Sequence, residues 1–275
     1  MGVIFMSKIK LIKLFAVGLA VAISVTGCGS KSSSDSKSST SKPKTIIVGT
    51  GNAFKPYCYL DASGKPTGYE VGVLQEVNKR LPQYKFEYQA MDFSNVLISL
   101  QSGKVDIGSH QYAKNAEREK NYLFGKEGYA NDIVKLTVLK SRNDIKSIKD
   151  LNNKNVQVST GSNSANYLEN YNKEHGTKIN LIYGSPDTAT LIKSMEDGKI
   201  DAFFSWAQQV DMYNKAFGNV LTLEGTPIYN TDVYQVYRKN ETKLQSEVDS
   251  ALKDMKKDGT LAKISVKYLG ADYTK

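Results

Sequence analysis

Apolar positions recur with a period near two, then near 3.6, and the two patterns alternate from residue 45 onward. Residues 45–50 (TIIVGT) predict a strand, and 51–57 a loop at its carboxyl end. Residues 57–60 predict a short returning strand, and 61–64 a turn into Thr67-Gly68-Tyr69. Residues 70–81 place Val73, Leu74, Val77 and Leu81 on one helical face, and Pro82 stops the helix. Tyr84, Phe86 and Tyr88 alternate with polar residues, as in a strand. A helix from Asp92-Phe93-Ser94 turns Val96, Leu97 and Leu100 inward and ends at Gly103-Lys104. Residues 105–109 then predict a buried strand, and Asn115 caps a short helix over 116–120.

The second series repeats the scheme. Strands are expected at 133–139, 156–158, 179–183 and 200–204, with a helical turn at 144–151. Residues 159–164 turn into a helix running through 171, Pro186-Asp187 opens another, and 206–217 form a third. Short strands follow at 220–223 and 232–237, then amphipathic helices at 242–258 and 260–268, split by Asp258-Gly259. LQSGKVDI (100–107) echoes MEDGKIDA (195–202). In both, an inward-facing helix ends at Gly-Lys and an apolar strand follows. The echo and the alternation predict two α/β domains with largely parallel sheets. The expected division is 45–133 plus 230–275 for the first domain and 134–229 for the second, joined by a two-strand hinge.

Residues 7–28 change the picture at the N-terminus. Lys8, Lys10 and Lys13 precede an apolar stretch over 14–25, and Val25-Thr26-Gly27-Cys28 resembles a bacterial lipobox. Residues 1–27 are therefore expected to be a lipoprotein signal peptide, with Met6 an alternative start, and Cys28 the lipidated residue. Residues 28–44, nearly all Ser, Lys, Asp and Thr, read as a flexible tether. Cys58 is the other cysteine, so no internal disulfide is expected. The formal charge of +9 includes three lysines of the segment to be removed. The remainder is mixed with carboxylates, fits an anionic wall or membrane surface, and comes with no nucleic-acid-binding motif.

Arg118 is the principal candidate for chemistry. It lies just past the carboxyl end of a predicted strand, where open α/β sheets bind ligands. Its planar fork suits a carboxylate, although the EREK run also fits a solvated surface. His110 reads as a hydrogen-bonded structural residue and His175 as a helix-end residue facing solvent. No nucleophile elbow, metal spacing or phosphate loop is present, so no cofactor and no metal is expected.

The stretches VGTGNAFKPYCYLDASGKPTGYEVGVLQEV (48–77), MDFSNVLISLQSGKVDI (91–107), NAEREKNYLF (115–124), DIKSIKDLNNKNVQV (144–158) and ALKDMKKDGTLAKISVKYLG (251–270) resemble the extracytoplasmic solute-binding proteins of amino-acid ABC importers. Within that family, RLPQYKFEY and AKNAEREKNYLFGKEGY look most similar to the cystine-binding lipoproteins of Gram-positive bacteria. The resemblance implies a two-domain, periplasmic-binding-protein-like fold of type II with the ligand in the interdomain cleft. It implies that Arg118 clamps the ligand's α-carboxylate and that Phe54 and Phe93 sandwich its side chain, with Tyr57 a weaker candidate for the same wall. Gln111 and Ala113 match positions that contact ligand through backbone groups. Ser159, Gly161, Ser162 and Asn163 match the loop that covers the carboxylate at a helix N-terminus, which favours anions.

Two positions depart from the family pattern. Gly51 stands where an acid is usual, and Trp206 stands where an Asp normally accepts the ligand's ammonium. Trp206 can offer a cation–π face instead. Asp187 in the adjacent loop reads as a helix N-terminal residue. The function implied is a monomeric, lipid-anchored receptor outside the membrane. It captures an amino acid, most simply cystine or a related sulfur-containing or polar one, for a membrane permease. A dehydratase-like enzyme on the same fold and a surface adhesin or ligand sensor are the alternatives.

Overall fold

A computed structural model describes residues 42–274. The expected signal peptide, Cys28 and the tether up to residue 41 lie outside the described residues. The first series runs β1 (Lys44–Gly51), β2 (Ala53–Phe54), β3 (Cys58–Leu60), β4 (Pro66–Thr67), α1 (Tyr69–Arg80), β5 (Tyr84–Met91), α2 (Phe93–Gln101), β6 (Ile107–Tyr112), α3 (Ala116–Asn121) and β7 (Leu123–Phe124). The second runs β8 (Ala130–Leu139), a 3-10 turn (Ile148–Leu151), β9 (Asn155–Val158), α4 (Asn163–His175), β10 (Asn180–Tyr183), α5 (Thr188–Glu196), β11 (Ala202–Ser205) and α6 (Ala207–Phe217). The chain closes with β12 (Leu221–Tyr237), α7 (Thr242–Lys257) and α8 (Thr260–Leu269).

One sheet path, β10-β9-β11-β8-β12-β6-β1-β5, joins both series, with β7 pairing β12. β1 is parallel to β5 and β6, and β9 is parallel to β10 and β11. β8 and β12 run antiparallel to each other and carry the chain between the two series. The two separate strands expected at 220–223 and 232–237 are one 17-residue strand, β12. Its pairing with β8 shifts register between Glu224 and Tyr229. Gly225 and Pro227 lie in the stretch 225–228 that has no partner on β8, and the ladder resumes at Tyr229.

The core is divided in the same way. Ile46, Val48, Val73, Leu74, Val77, Val248, Leu252, Met255 and Leu261 pack α1, α7 and α8 against one face of the first series, and Val96, Leu100, Val105 and Tyr112 pack α2 against the other. In the second series, Val156, Leu168 and Leu151 form one cluster, and Leu191, Ile192, Met195, Val210 and Tyr213 form another under α5 and α6.

The internal echo has a structural basis. Gly103 and Gly198 both adopt left-handed conformations, at φ 76° and 71°, just past their helices. Each is followed by an Asp doing the same work. Asp106 accepts from the Ile47 N–H at 2.8 Å and pairs with Arg238 at 2.9 Å. Asp201 accepts from the Asn155 N–H at 2.7 Å and pairs with Arg142 at 2.7 Å. These bonds account for β6 beginning at Ile107 rather than at the expected Val105. The acid bridges to β1 before the ladder starts, and Val105 fills the space beside Gly49.

Candidate ligand-binding site

The carboxyl ends of β1, β5, β6, β9 and β11 converge on one cavity of 280 Å³. Its lining includes Phe54, Phe93, Gln111, Arg118, Ser159, Ser162, Asn163 and Trp206. Eight of the ten expected ligand-contact residues are thus brought together. Ala113 and Gly161 are not in the lining, but each gives its carbonyl to Arg118, at 2.9 Å and 2.8 Å.

Asn115 caps α3 by accepting from the Arg118 N–H at 2.8 Å, which fixes the backbone from which the arginine projects. Arg118 is 6% exposed, and its guanidinium lies over the Tyr112 and Phe93 rings, 5.1 and 5.9 Å from their centroids. Among the described residues no carboxylate lies within 4 Å of it. Its bond to Gly161 sets it at the N-terminus of the 13-residue α4, where Ser162 caps the Ala165 N–H at 3.1 Å. A buried guanidinium therefore faces the positive end of a helix. Two positive features in a low-dielectric setting repel unless an anion sits between them.

Rings form much of the remaining wall. Phe54 stacks on Tyr57 at 4.9 Å and on His110 at 5.2 Å, and meets Trp206 at 5.3 Å. Phe93 meets His110 edge-on at 4.9 Å. Tyr57 is fully buried behind this wall, and its hydroxyl accepts from Gln208 of α6 at 2.7 Å. Asn115 likewise reaches Asn163 at 2.6 Å, so side chains of the two series meet around the cavity. Asp187 caps α5, accepting from the Thr190 N–H at 2.9 Å, and is absent from the lining.

His110 corrects the sequence reading. It lines the cavity, and its Nδ1 is buried without a hydrogen-bond partner. Burial, helped by the Arg118 charge, pulls its pKa down to about 4, so the ring is neutral at physiological pH. It also explains Gly51. A Cβ there would lie 2.5 Å from His110 Nε2 and 2.6 Å from Cys58 Sγ, so no acid fits. Trp206, at the start of α6, faces Asp132 of β8. The indole N–H and Asp132 Oδ1 are both buried and do not meet the geometry of a hydrogen bond. Burial pushes the Asp132 carboxyl well above the usual range, and the nearby Trp206 N–H offsets this in part.

Sequence reasoning also missed other lining residues, among them Tyr229, Gln157 and Ser185 from β12, β9 and the loop after β10. For His110 a signal existed. GSHQY (108–112) is largely polar, yet every residue of β6 is buried. Polar residues at the buried carboxyl end of a parallel strand are a recurrent mark of a site.

Residues 46–271 match the bacterial extracellular solute-binding proteins, family 3. The chain belongs to this family. It is 42% identical to the L-cystine-binding protein TcyJ of Bacillus subtilis, over 84% of this chain and 86% of that protein. A putative L-cystine ABC transporter structure from Listeria monocytogenes aligns with a TM-score of 0.79 at 46% identity, covering 84% and 98% of the two chains. A structure from work on glutathione import via GshT and the cystine importer TcyBC of Streptococcus mutans aligns with a TM-score of 0.78 at 31% identity, covering 84% and 97%. As a family 3 member the chain has the type II periplasmic-binding-protein fold.

Proposed function

We propose that this protein is the extracytoplasmic substrate-binding component of an ABC importer, and that it captures cystine or a related sulfur-containing or polar amino acid for delivery to a membrane permease. The observation that carries the reading is Arg118 set beside the N-terminus of α4 in the cavity lining, an arrangement that an α-carboxylate completes. The aromatic wall supports a sulfur-containing ligand, because thioether and disulfide sulfurs are polarisable and pack well on rings. The cystine-binding relatives support the same class.

In this reading Arg118 grips the carboxylate, Ser159 to Asn163 cover it, and Phe54, Phe93 and Trp206 hold the side chain. Residues 45–133 with 230–275 act as one domain and 134–229 as the other, closing on the ligand about β8 and β12. The protein works as a monomer, tethered outside the membrane of a Gram-positive cell through a lipid on Cys28. It needs no catalytic group, cofactor or metal. A dehydratase-like reading asks for a general base at the ligand, and an imidazole with a pKa of about 4 is a weak one.

A thermal-shift screen over amino acids, L-cystine and small peptides tests the proposal. A ligand at ~100 times its Kd adds about 2.7 kcal/mol of stability, or about 5–10 °C in Tm for a chain of this size. If no amino acid or peptide moves the melting curve, the transport reading loses its main support.

A further inference from the structure

Glu70 lies in the first turn of α1, behind the cavity wall, and is wholly buried. A buried carboxylate is costly unless it is paired or richly hydrogen-bonded. No cation among the described residues forms a salt bridge with it. Its donors are instead the Gln111 N–H at 2.8 Å, Gln111 Nε2 at 2.7 Å, the Tyr129 hydroxyl at 2.7 Å and the Ser109 hydroxyl. Both N–H donors come from one residue that lines the cavity.

Gln111 itself is in an uncommon state. Its φ is +50°, a left-handed conformation one residue before the carboxyl end of β6, which costs a non-glycine residue about 1 kcal/mol or more. The pairing of β6 with β12 breaks there. Gly108 is opposite Val236 and Tyr112 is opposite Tyr234, so three residues of β6 stand against one of β12. Bulges of this kind re-aim side chains next to binding sites. Two residues further on, the Ala113 carbonyl accepts from Arg118 Nη1.

We propose that Glu70 is a positioning residue for ligand recognition: its carboxylate holds Gln111 in the left-handed bulge, and the bulge sets Ala113 and so aims the Arg118 guanidinium into the cavity. The inference rests on the reading of Arg118 as the carboxylate-binding group. Burial pushes the Glu70 carboxyl above the usual range, and the bonds from Ser109, Tyr129 and Gln111 offset this in part by favouring the charged form. An ionised acceptor binds both Gln111 donors about twice as strongly as a neutral one. The hydroxyls of Ser109 and Tyr129 can reverse to accept from an amide, so Glu70→Gln keeps the shape and loses the charge.

The test is a double-mutant cycle with L-cystine as the calorimetric probe. Glu70→Gln is expected to weaken binding at least tenfold. Gln111→Gly removes the backbone strain that Glu70 opposes. In that background Glu70→Gln is expected to change affinity less than threefold. Unchanged affinity in the single variant, or equal losses in both backgrounds, overturns the proposal. The Arg118 Nε–H resonance in the ligand-free protein gives a second readout. It is expected to shift in Glu70→Gln, and a resonance that stays in place overturns the relay even if L-cystine proves not to be the ligand. Failure of the wild type to bind L-cystine, by contrast, counts against the ligand assignment alone. Should Glu70→Gln fail to fold, Ser109→Ala and Tyr129→Phe each strip one donor from the carboxylate. Both are expected to move the same resonance by less, and no movement in either refutes the role.

Discussion

Arg118→Lys isolates the shape of the charge from the charge itself. The guanidinium uses Nη1 on Ala113 and Nη2 on Gly161, at 2.9 and 2.8 Å, which fixes the plane of the fork. Its remaining N–H groups are then preset to give a carboxylate two parallel bonds. Lysine places one compact ammonium in the same space and cannot bond both carbonyls and both carboxylate oxygens. The loss is one hydrogen bond to a charged group, about 1.5–3 kcal/mol, or about ten- to 150-fold in Kd. Calorimetry with L-cystine measures the change. A cystine analogue with both carboxylates amidated is the control, since it is expected to bind wild type and variant with similar weak affinity. Unchanged affinity for L-cystine in Arg118→Lys, or an equal loss for the amide, refutes the carboxylate clamp.

Three further outcomes follow from the same cavity. Gly51→Ala drives a methyl to within 2.6 Å of His110 Nε2 and Cys58 Sγ, so it is expected to cost about 1–3 kcal/mol in chemical denaturation. A Tm equal to wild type would show that the ring and thiol yield freely. His110 keeps its neutral form down to about pH 4, whereas the unfolded chain takes up that proton near pH 6.5. Its contribution is present above pH 6.5 and is lost as pH falls towards 4, by up to about 3 kcal/mol. His110→Phe is expected to flatten urea-derived stability over this window, and an unchanged pH profile counts against the buried neutral imidazole. Asp132 has the opposite sign, because its folded-state pKa is raised. Its contribution is full below the ordinary carboxylate range and is lost as pH rises above it. Asp132→Asn is therefore expected to gain stability relative to wild type between pH 5 and 8, read from urea midpoints, and a constant difference across that range refutes the assignment.

Much of the fold was legible along the chain. The alternation of periods gave the strands and helices in order, because each element buries one face and periodicity reports burial locally. The Gly-Lys-hydrophobic-Asp echo pointed to a paired architecture, and its two acids do make matching bonds. The lapses fall where local signal and pairing disagree. Residues 224–231 fall outside the two expected strands, while β8 pairs with Glu224 and again, after a shift of register, from Tyr229 to Thr231.

The candidate site was legible in part. Arg118 stands out by residue type and its place past a strand end, with the EREK run as a competing surface reading, whereas Phe54 and Phe93 are nominated by the family resemblance. The sequence by itself determined the order of elements, the division of apolar residues between two series and the chemistry available at the strand ends. Only the tertiary structure decided what meets across the cavity. Arg118 reaches Gly161, 43 residues away, and Gln208 reaches Tyr57, 151 residues away. The space beside Gly51 is taken by His110. Glu70 turns Gln111 into a bulge from 41 residues upstream. Such contacts leave no periodic trace, because periodicity records which face of an element is buried and not what that face is buried against.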